Sequence, residues 1–193
     1  MRKTFSIFTA SIVLAMSSTV EAGGFDGAQV TTTAYCCTAP MEADRISIPL
    51  TKVVGTGVEF TSGSIQTIRG FSIIGSNIDI GDSTIDLDYV VSSPSANGSF
   101  NGYVFDFSGP NLPVIAGVSL NPLSTFAASS IGLSFDSDTI RYNGAGLDIS
   151  PTSRVLIDVV FAPAVPEPGT YAMLLAGLGL LGFMAQHRKI SFQ

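Results

Sequence analysis

The sequence contains no tryptophan, one histidine and two cysteines, and only 12% of its 193 residues are charged. The histidine is His187, close to the end of the sequence, so the rest of the chain has none for a Ser-His-Asp or Cys-His mechanism. The cysteines are neighbours, Cys36 and Cys37, and two adjacent thiolates without further ligands do not make a zinc site. These absences exclude the common nucleophilic and zinc-dependent mechanisms.

Lysine and arginine are also scarce. Residues 23–164 contain thirteen acidic and five basic residues, which gives this part of the chain a net charge of −8. Proteins that bind nucleic acid or anionic lipid need clustered positive charge. The composition therefore excludes a nucleic-acid-binding role, and its acidity suits a soluble domain outside the cell.

The N-terminus has the layout of a signal peptide. Arg2 and Lys3 precede an apolar run over residues 5–16, and small residues follow at Val20 and Ala22. The apolar run is too short to span a bilayer stably, and the small residues suit signal peptidase. We predict a signal peptide over residues 1–22 that is cleaved after Ala22.

The C-terminus contains a second apolar segment. Residues 169–185 are uncharged, and as a helix they would measure about 25 Å, just short of the ~30 Å hydrocarbon core of a bilayer. We predict a C-terminal transmembrane helix with a basic tail over residues 171–193, and Arg188 and Lys189 are expected to stay in the cytoplasm. Residues 177–182 also fit G-x-G-x-x-G, but no strand precedes them, so we predict no dinucleotide site there.

Three features of this tail occur together: the tripeptide Pro166-Glu167-Pro168, a Gly/Leu-rich segment over residues 171–182, and the basic pair Arg188 and Lys189. The tail resembles the PEP-CTERM sorting signal. The resemblance implies a substrate of the membrane enzyme exosortase in a Gram-negative bacterium that makes exopolysaccharide. It also implies cleavage near Pro166-Glu167-Pro168, after an inner-membrane-tethered precursor stage; the alternative is a plain anchor that is never cut.

Between these ends, short runs of β-branched and aromatic residues alternate with polar residues and are separated by Gly, Ser, Asn and Asp. The clearest run is 83–91, in which Ile85, Leu87 and Tyr89 share one face of a strand. Further strands are predicted at 29–35, 45–50, 58–60, 71–74, 78–80, 103–107, 114–120, 131–135, 139–142 and 154–161. The fold class is all-β, a two-sheet β-sandwich of about ten strands, jelly-roll-like or immunoglobulin-like, over residues 23–161. Residues 162–170 form a Pro-rich tether that the prolines keep extended.

Cys36 and Cys37 allow three arrangements. Adjacent Cα atoms lie about 3.8 Å apart across a trans peptide, tighter than most disulfides, so a bond between them would be strained and easily reduced. The alternatives are a bridge to another chain and two buried thiols.

The aspartates are the remaining candidates for chemistry. Asp86 and Asp88 lie on one strand, and Asp136 and Asp138 flank a predicted turn, so either pair offers oxygen ligands for Ca²⁺. Together with Glu42 and Glu59 they also permit a carboxylate-dependent hydrolase that acts on polysaccharide. Alternating aspartates on a strand more often form its solvated face, and the sequence contains no tryptophan to stack on a sugar.

No set of residues in the exported domain amounts to a catalytic site. We therefore expect a non-enzymatic surface or extracellular-matrix protein, with no cofactor, that associates with exopolysaccharide in a biofilm. The alternatives are the carboxylate-dependent hydrolase and a self-assembling structural subunit linked through its cysteines.

Overall fold

A computed structural model describes residues 23–163 and 168–190. The predicted signal peptide, its cleavage site at Ala22, and Pro166 and Glu167 lie outside the described residues. Residues 23–163 form an antiparallel β domain, and the described part of the tail forms a helix.

The β domain contains twelve strands among the described residues. In chain order these are β1 (Gln29–Cys37), β2 (Leu50–Val53), β3 (Val58–Phe60), β4 (Ser76–Ile80), β5 (Thr84–Tyr89), β6 (Ser93–Pro94), β7 (Phe100–Ser108), β8 (Ile115–Leu120), β9 (Gly132–Phe135), β10 (Thr139–Asn143), β11 (Asp148–Ile149) and β12 (Arg154–Phe161). Two single 3₁₀ turns lie at Glu42–Asp44 and Ala128–Ser130.

Ten of these strands build two five-stranded antiparallel sheets. The first sheet has the order β2-β1-β7-β10-β9, and the second has the order β3-β4-β5-β12-β8. The short strands β6 and β11 pair with each other. Buried side chains of both large sheets belong to one hydrophobic cluster, so the sheets are arranged as a sandwich.

Alternation along the strands explains which side chains fill this cluster. In β5, Ile85, Leu87 and Tyr89 share one face, as predicted, and all three are buried, whereas Asp86 is partly exposed and Asp88 exposed. In β7, Tyr103, Phe105 and Phe107 are buried on the inner face. The same hydrophobic cluster includes Ile78, Ile80, Val155 and Ile157 of the second sheet and Ile140 of the first.

The two ends of the domain meet. The ring of Phe25 is fully buried and stacks on Phe107 with centroids 3.8 Å apart. It also makes an edge contact with Phe161, the last residue of β12, at 4.9 Å. The chain therefore enters and leaves the domain at the same end of the sandwich.

Two predicted strands are wrong. Residues 45–50 make only isolated bridges, Tyr35 with Arg45 and Ser47 with Thr67, and the strand β2 begins only at Leu50. Residues 71–74 form no strand at all. Both stretches have β-rich compositions, but a strand also needs a neighbouring strand for its backbone hydrogen bonds.

The tail contains the helix α1, Pro168–Ile190, which confirms a C-terminal helix. It begins at Pro168, three residues before the predicted start, because proline is well suited to the first helical position, where its missing N–H is not needed. The prediction that Pro168 keeps the chain extended is therefore wrong. No helix in the described ranges is long and apolar enough to cross a membrane, so the predicted transmembrane span is not confirmed.

Candidate functional site

The aspartates of β5 form ion pairs with an arginine. Arg154, at the start of β12, donates from Nε to Oδ1 of Asp86 at 2.8 Å and from a terminal nitrogen to Oδ2 at 2.5 Å. Asp88 lies 3.7 Å from the same guanidinium group. The hydrogen bonds to Asp86 raise the pKa of Arg154 above its usual value.

The side chains of Asp136 and Asp138, the second aspartate pair, also have hydrogen-bond partners. Asp136 accepts a hydrogen bond from Arg141 at 2.7 Å, and Asp138 accepts one from the hydroxyl group of Thr139 at 3.2 Å. In the described part of the chain, no three His, Cys, Asp or Glu side chains are arranged to hold a metal ion. The structure therefore gives no support to a Ca²⁺ site at these carboxylates.

The two glutamates of the hydrolase hypothesis have other contacts. The carboxylate of Glu59 accepts hydrogen bonds from the backbone N–H groups of Gly55 at 2.9 Å and Ile80 at 2.7 Å, so it ties β3 to β4. Glu42 pairs with Arg45 at the surface. From the sequence, Arg154 and Arg141 counted only toward the net charge, because their pairing with Asp86 and Asp136 becomes visible only once the strands and the turn are placed.

Cys36 and Cys37 are joined to each other by a disulfide at the end of β1, and the peptide bond between them is cis. Cys36 is buried and Cys37 is partly exposed. The carbonyl oxygen of Cys37 accepts a hydrogen bond from Ser99 at 3.0 Å. Gly98 packs so closely on this carbonyl group that a side chain there would collide with it. The disulfide is thus held between β1 and the turn that precedes β7.

A cavity opens beside the disulfide. It has a volume of about 220 Å³ and is lined by both cysteines, three tyrosines and the loop after β3. A second cavity of about 540 Å³ adjoins it, and the two share the side chains of Ser72, Ile73, Ile74 and Tyr103. We call the two cavities together the disulfide pocket. The larger of the two cavities has a volume in the range typical of small-molecule sites.

Three tyrosines form the inner wall of the disulfide pocket. The hydroxyl groups of Tyr89 and Tyr142 lie 3.0 Å apart and link the two sheets, and the Tyr103 hydroxyl lies 3.4 Å from Ser76 Oγ. Burial raises the pKa of all three phenols, most strongly for Tyr89 and Tyr142. They therefore remain neutral hydrogen-bonding groups at physiological pH.

The outer wall is the loop between β3 and β4. Its backbone is bonded to the stretch after β1, with Ile48 donating to Gln66 and Ile68 donating to Ile46, both at 2.9 Å. Arg69 has a left-handed backbone conformation, with φ of 59°, and donates to the carbonyl groups of Ala43 and Glu42. These contacts place Phe71 at the rim, where 41% of its surface is exposed.

The disulfide pocket was not predicted from the sequence. The sequence placed Tyr89 on one strand face with Ile85 and Leu87, and Tyr103 within the predicted strand 103–107, and it gave neither hydroxyl group a partner. The available signal was chemical, because a buried tyrosine needs a partner for its hydroxyl group, and several inward tyrosines at strand ends indicate a polar cluster at one end of the core.

The sorting residues that fall in the described ranges belong to α1. Pro168 is its first residue, and Arg188 and Lys189 lie in its last turn. Residues 164–189 match the PEP-CTERM protein-sorting motif. No curated protein and no solved structure matches the chain. The motif implies an exported protein that is directed to exosortase, and it covers only the tail.

Proposed function

We propose that this chain, whose tail carries the PEP-CTERM sorting motif, is a non-enzymatic surface or matrix protein that associates with exopolysaccharide. The motif match at residues 164–189 is the observation that supports this proposal most strongly. The tail tethers the precursor at the inner membrane of a Gram-negative cell, and exosortase removes it near Pro166-Glu167-Pro168. The β-sandwich then remains at the cell surface or in the biofilm matrix.

The chemistry of the β domain supports a binding role over catalysis. Asp86 and Asp136, the aspartates suggested for a hydrolase, form ion pairs with Arg154 and Arg141. Both oxygens of Glu59 accept backbone hydrogen bonds. A paired-carboxylate mechanism needs one free base and one acid facing each other across a cleft.

Sorting is tested by intact-mass measurement of the protein recovered from matched strains with and without exosortase. We expect the exosortase strain to yield a chain that begins at Gly23 and lacks α1, and the deletion strain to keep the tail. Glu167→Ala should block processing, whereas Glu42→Ala, a surface control in the β domain, should not. Recovery of an intact Met1–Gln193 chain from the exosortase strain would contradict the proposal.

Polysaccharide association is tested separately, by retention of the processed protein on the exopolysaccharide of the producing strain. Retention should persist at high salt, because the domain is acidic and no basic patch drives binding. Equal retention on an unrelated polysaccharide would argue against a specific association.

A further inference from the structure

The disulfide pocket has no charged side chain among its lining residues, although the domain around it carries eighteen charged residues. Its polar groups are hydroxyl and amide groups, including Ser93, Ser95 and Asn101. A charged ligand that entered this pocket would lose hydration without gaining a counter-charge. The lining therefore selects a neutral ligand that forms hydrogen bonds.

The same pocket offers an apolar surface at its rim. The half-exposed ring of Phe71 and the disulfide of Cys36 and Cys37 both line the smaller cavity, with Ile73 and Ile74 between the two cavities. A pyranose ring has matching chemistry, with an apolar C–H face and a rim of neutral hydroxyl groups. Mixed apolar and hydrogen-bonding walls of this kind are typical of small-molecule sites.

The run of β1 fixes the end of the sandwich at which the pocket lies. Strand β1 begins next to Phe25, where both chain ends leave the sandwich, and its nine residues end at Cys37. Nine residues of strand measure about 30 Å. The disulfide pocket is therefore at the opposite end of the sandwich from Phe25 and Phe161.

We propose that the disulfide pocket binds one neutral sugar residue of a polysaccharide chain, with Phe71 stacked on the sugar ring and the pocket's hydroxyl groups bonded to its edge. This inference rests on the proposed association with exopolysaccharide, and it adds the site and the chemical class of the ligand.

The test is calorimetric titration of the processed protein with neutral oligosaccharides (gluco-, manno- and galacto-series) and with acidic oligogalacturonate. Phe71→Ala should weaken binding of a neutral oligosaccharide about tenfold. Phe135→Ala is the matched control, since Phe135 is 39% exposed on β9 and lines neither cavity. Ser72→Trp, at an exposed position shared by both cavities, should abolish binding by filling the entrance.

The outcomes distinguish a failure of the pocket assignment from a failure of the proposed function. Unchanged oligosaccharide binding by both Phe71→Ala and Ser72→Trp, in variants that melt like the parent, would overturn the pocket assignment. If the polysaccharide is still retained in that case, the proposed function stands without this site. Preference for oligogalacturonate, or no binding across the neutral panel, would overturn the neutral-sugar assignment. Phe71-dependent binding of oligosaccharide without retention on the exopolysaccharide would keep the pocket and refute the proposed function.

Discussion

The hydroxyl group of Thr32 lies in the core of the sandwich without a hydrogen-bond partner among the described residues. An unpaired buried hydroxyl costs free energy, and valine has nearly the same shape without that group. We expect Thr32→Val to raise the free energy of unfolding by about 1 kcal/mol in urea titrations. Thr31→Val is the matched control and should not stabilise, because Thr31 Oγ1 already bonds to Thr51 Oγ1 at 2.7 Å. A destabilised Thr32→Val variant would indicate an unseen partner for this hydroxyl.

Gly98 is a second residue whose role is set by one contact. Its φ is 156°, and an added Cβ would lie 2.1 Å from the carbonyl oxygen of Cys37. We expect Gly98→Ala to lower the free energy of unfolding by more than about 1 kcal/mol, since neither backbone group can move cheaply. Gly55→Ala, where the added carbon meets nothing within 4 Å, should change stability little. Equal melting temperatures for the two variants would contradict this account of the turn.

At the scale of elements, composition and alternation predicted the strands that have a buried face. The bounds of β3 and β12 match the prediction, and those of β5 lie within it. In β5 and β12 buried residues recur at every second position, whereas in β3 only Phe60 is buried. Strand β2 escaped prediction because it is a largely exposed edge strand with no buried alternation. The opposite error, at residues 45–50 and 71–74, arose because composition does not reveal whether a pairing partner exists.

The ion pair between β12 and β5 gives a prediction at this scale. Arg154 makes two hydrogen bonds with Asp86, whose side chain is 19% exposed, so the pair is partly shielded from solvent. Asp86→Asn should lower the free energy of unfolding by about 1 kcal/mol, less at high salt. Asp136→Asn should cost less, because its carboxylate is 62% exposed. Neither variant should alter oligosaccharide binding, and a hydrolytic activity lost in Asp86→Asn would favour the hydrolase alternative.

At the scale of the whole molecule, the sorting motif of the tail can be predicted from the sequence, whereas the pocket of the β domain cannot. The sorting motif is a local pattern, so its residues identify it without any structure. The disulfide pocket is assembled from β1, β5, β6, β7 and β10 and from loops that are distant in sequence. Only the three-dimensional fold brings Tyr89 next to Tyr142 and places Phe71 and Cys36 on the walls of one cavity. A binding site that is assembled from distant segments has no short sequence motif by which it could be predicted.

The buried tyrosines of the disulfide pocket also limit the stability of the domain at alkaline pH. In the unfolded chain a tyrosine ionises near pH 10, whereas burial raises the pKa of Tyr89, Tyr103 and Tyr142 in the folded domain. Their contribution to the free energy of unfolding is therefore complete below about pH 10. It is lost as the pH rises from there to the pKa of each tyrosine in the folded domain, at about 1.4 kcal/mol per pH unit for each tyrosine.

Denaturant titrations between neutral and alkaline pH should show this decline in the free energy of unfolding, and Tyr142→Phe should make the decline shallower by the contribution of one tyrosine. Tyr35→Phe is the control with a smaller effect, because Tyr35 is only partly buried. The account would be contradicted if the free energy of unfolding of the parent protein stayed constant above pH 10. These phenols would then ionise as readily in the folded domain as in the unfolded chain, and the pocket would not be lined by neutral hydroxyl groups at high pH.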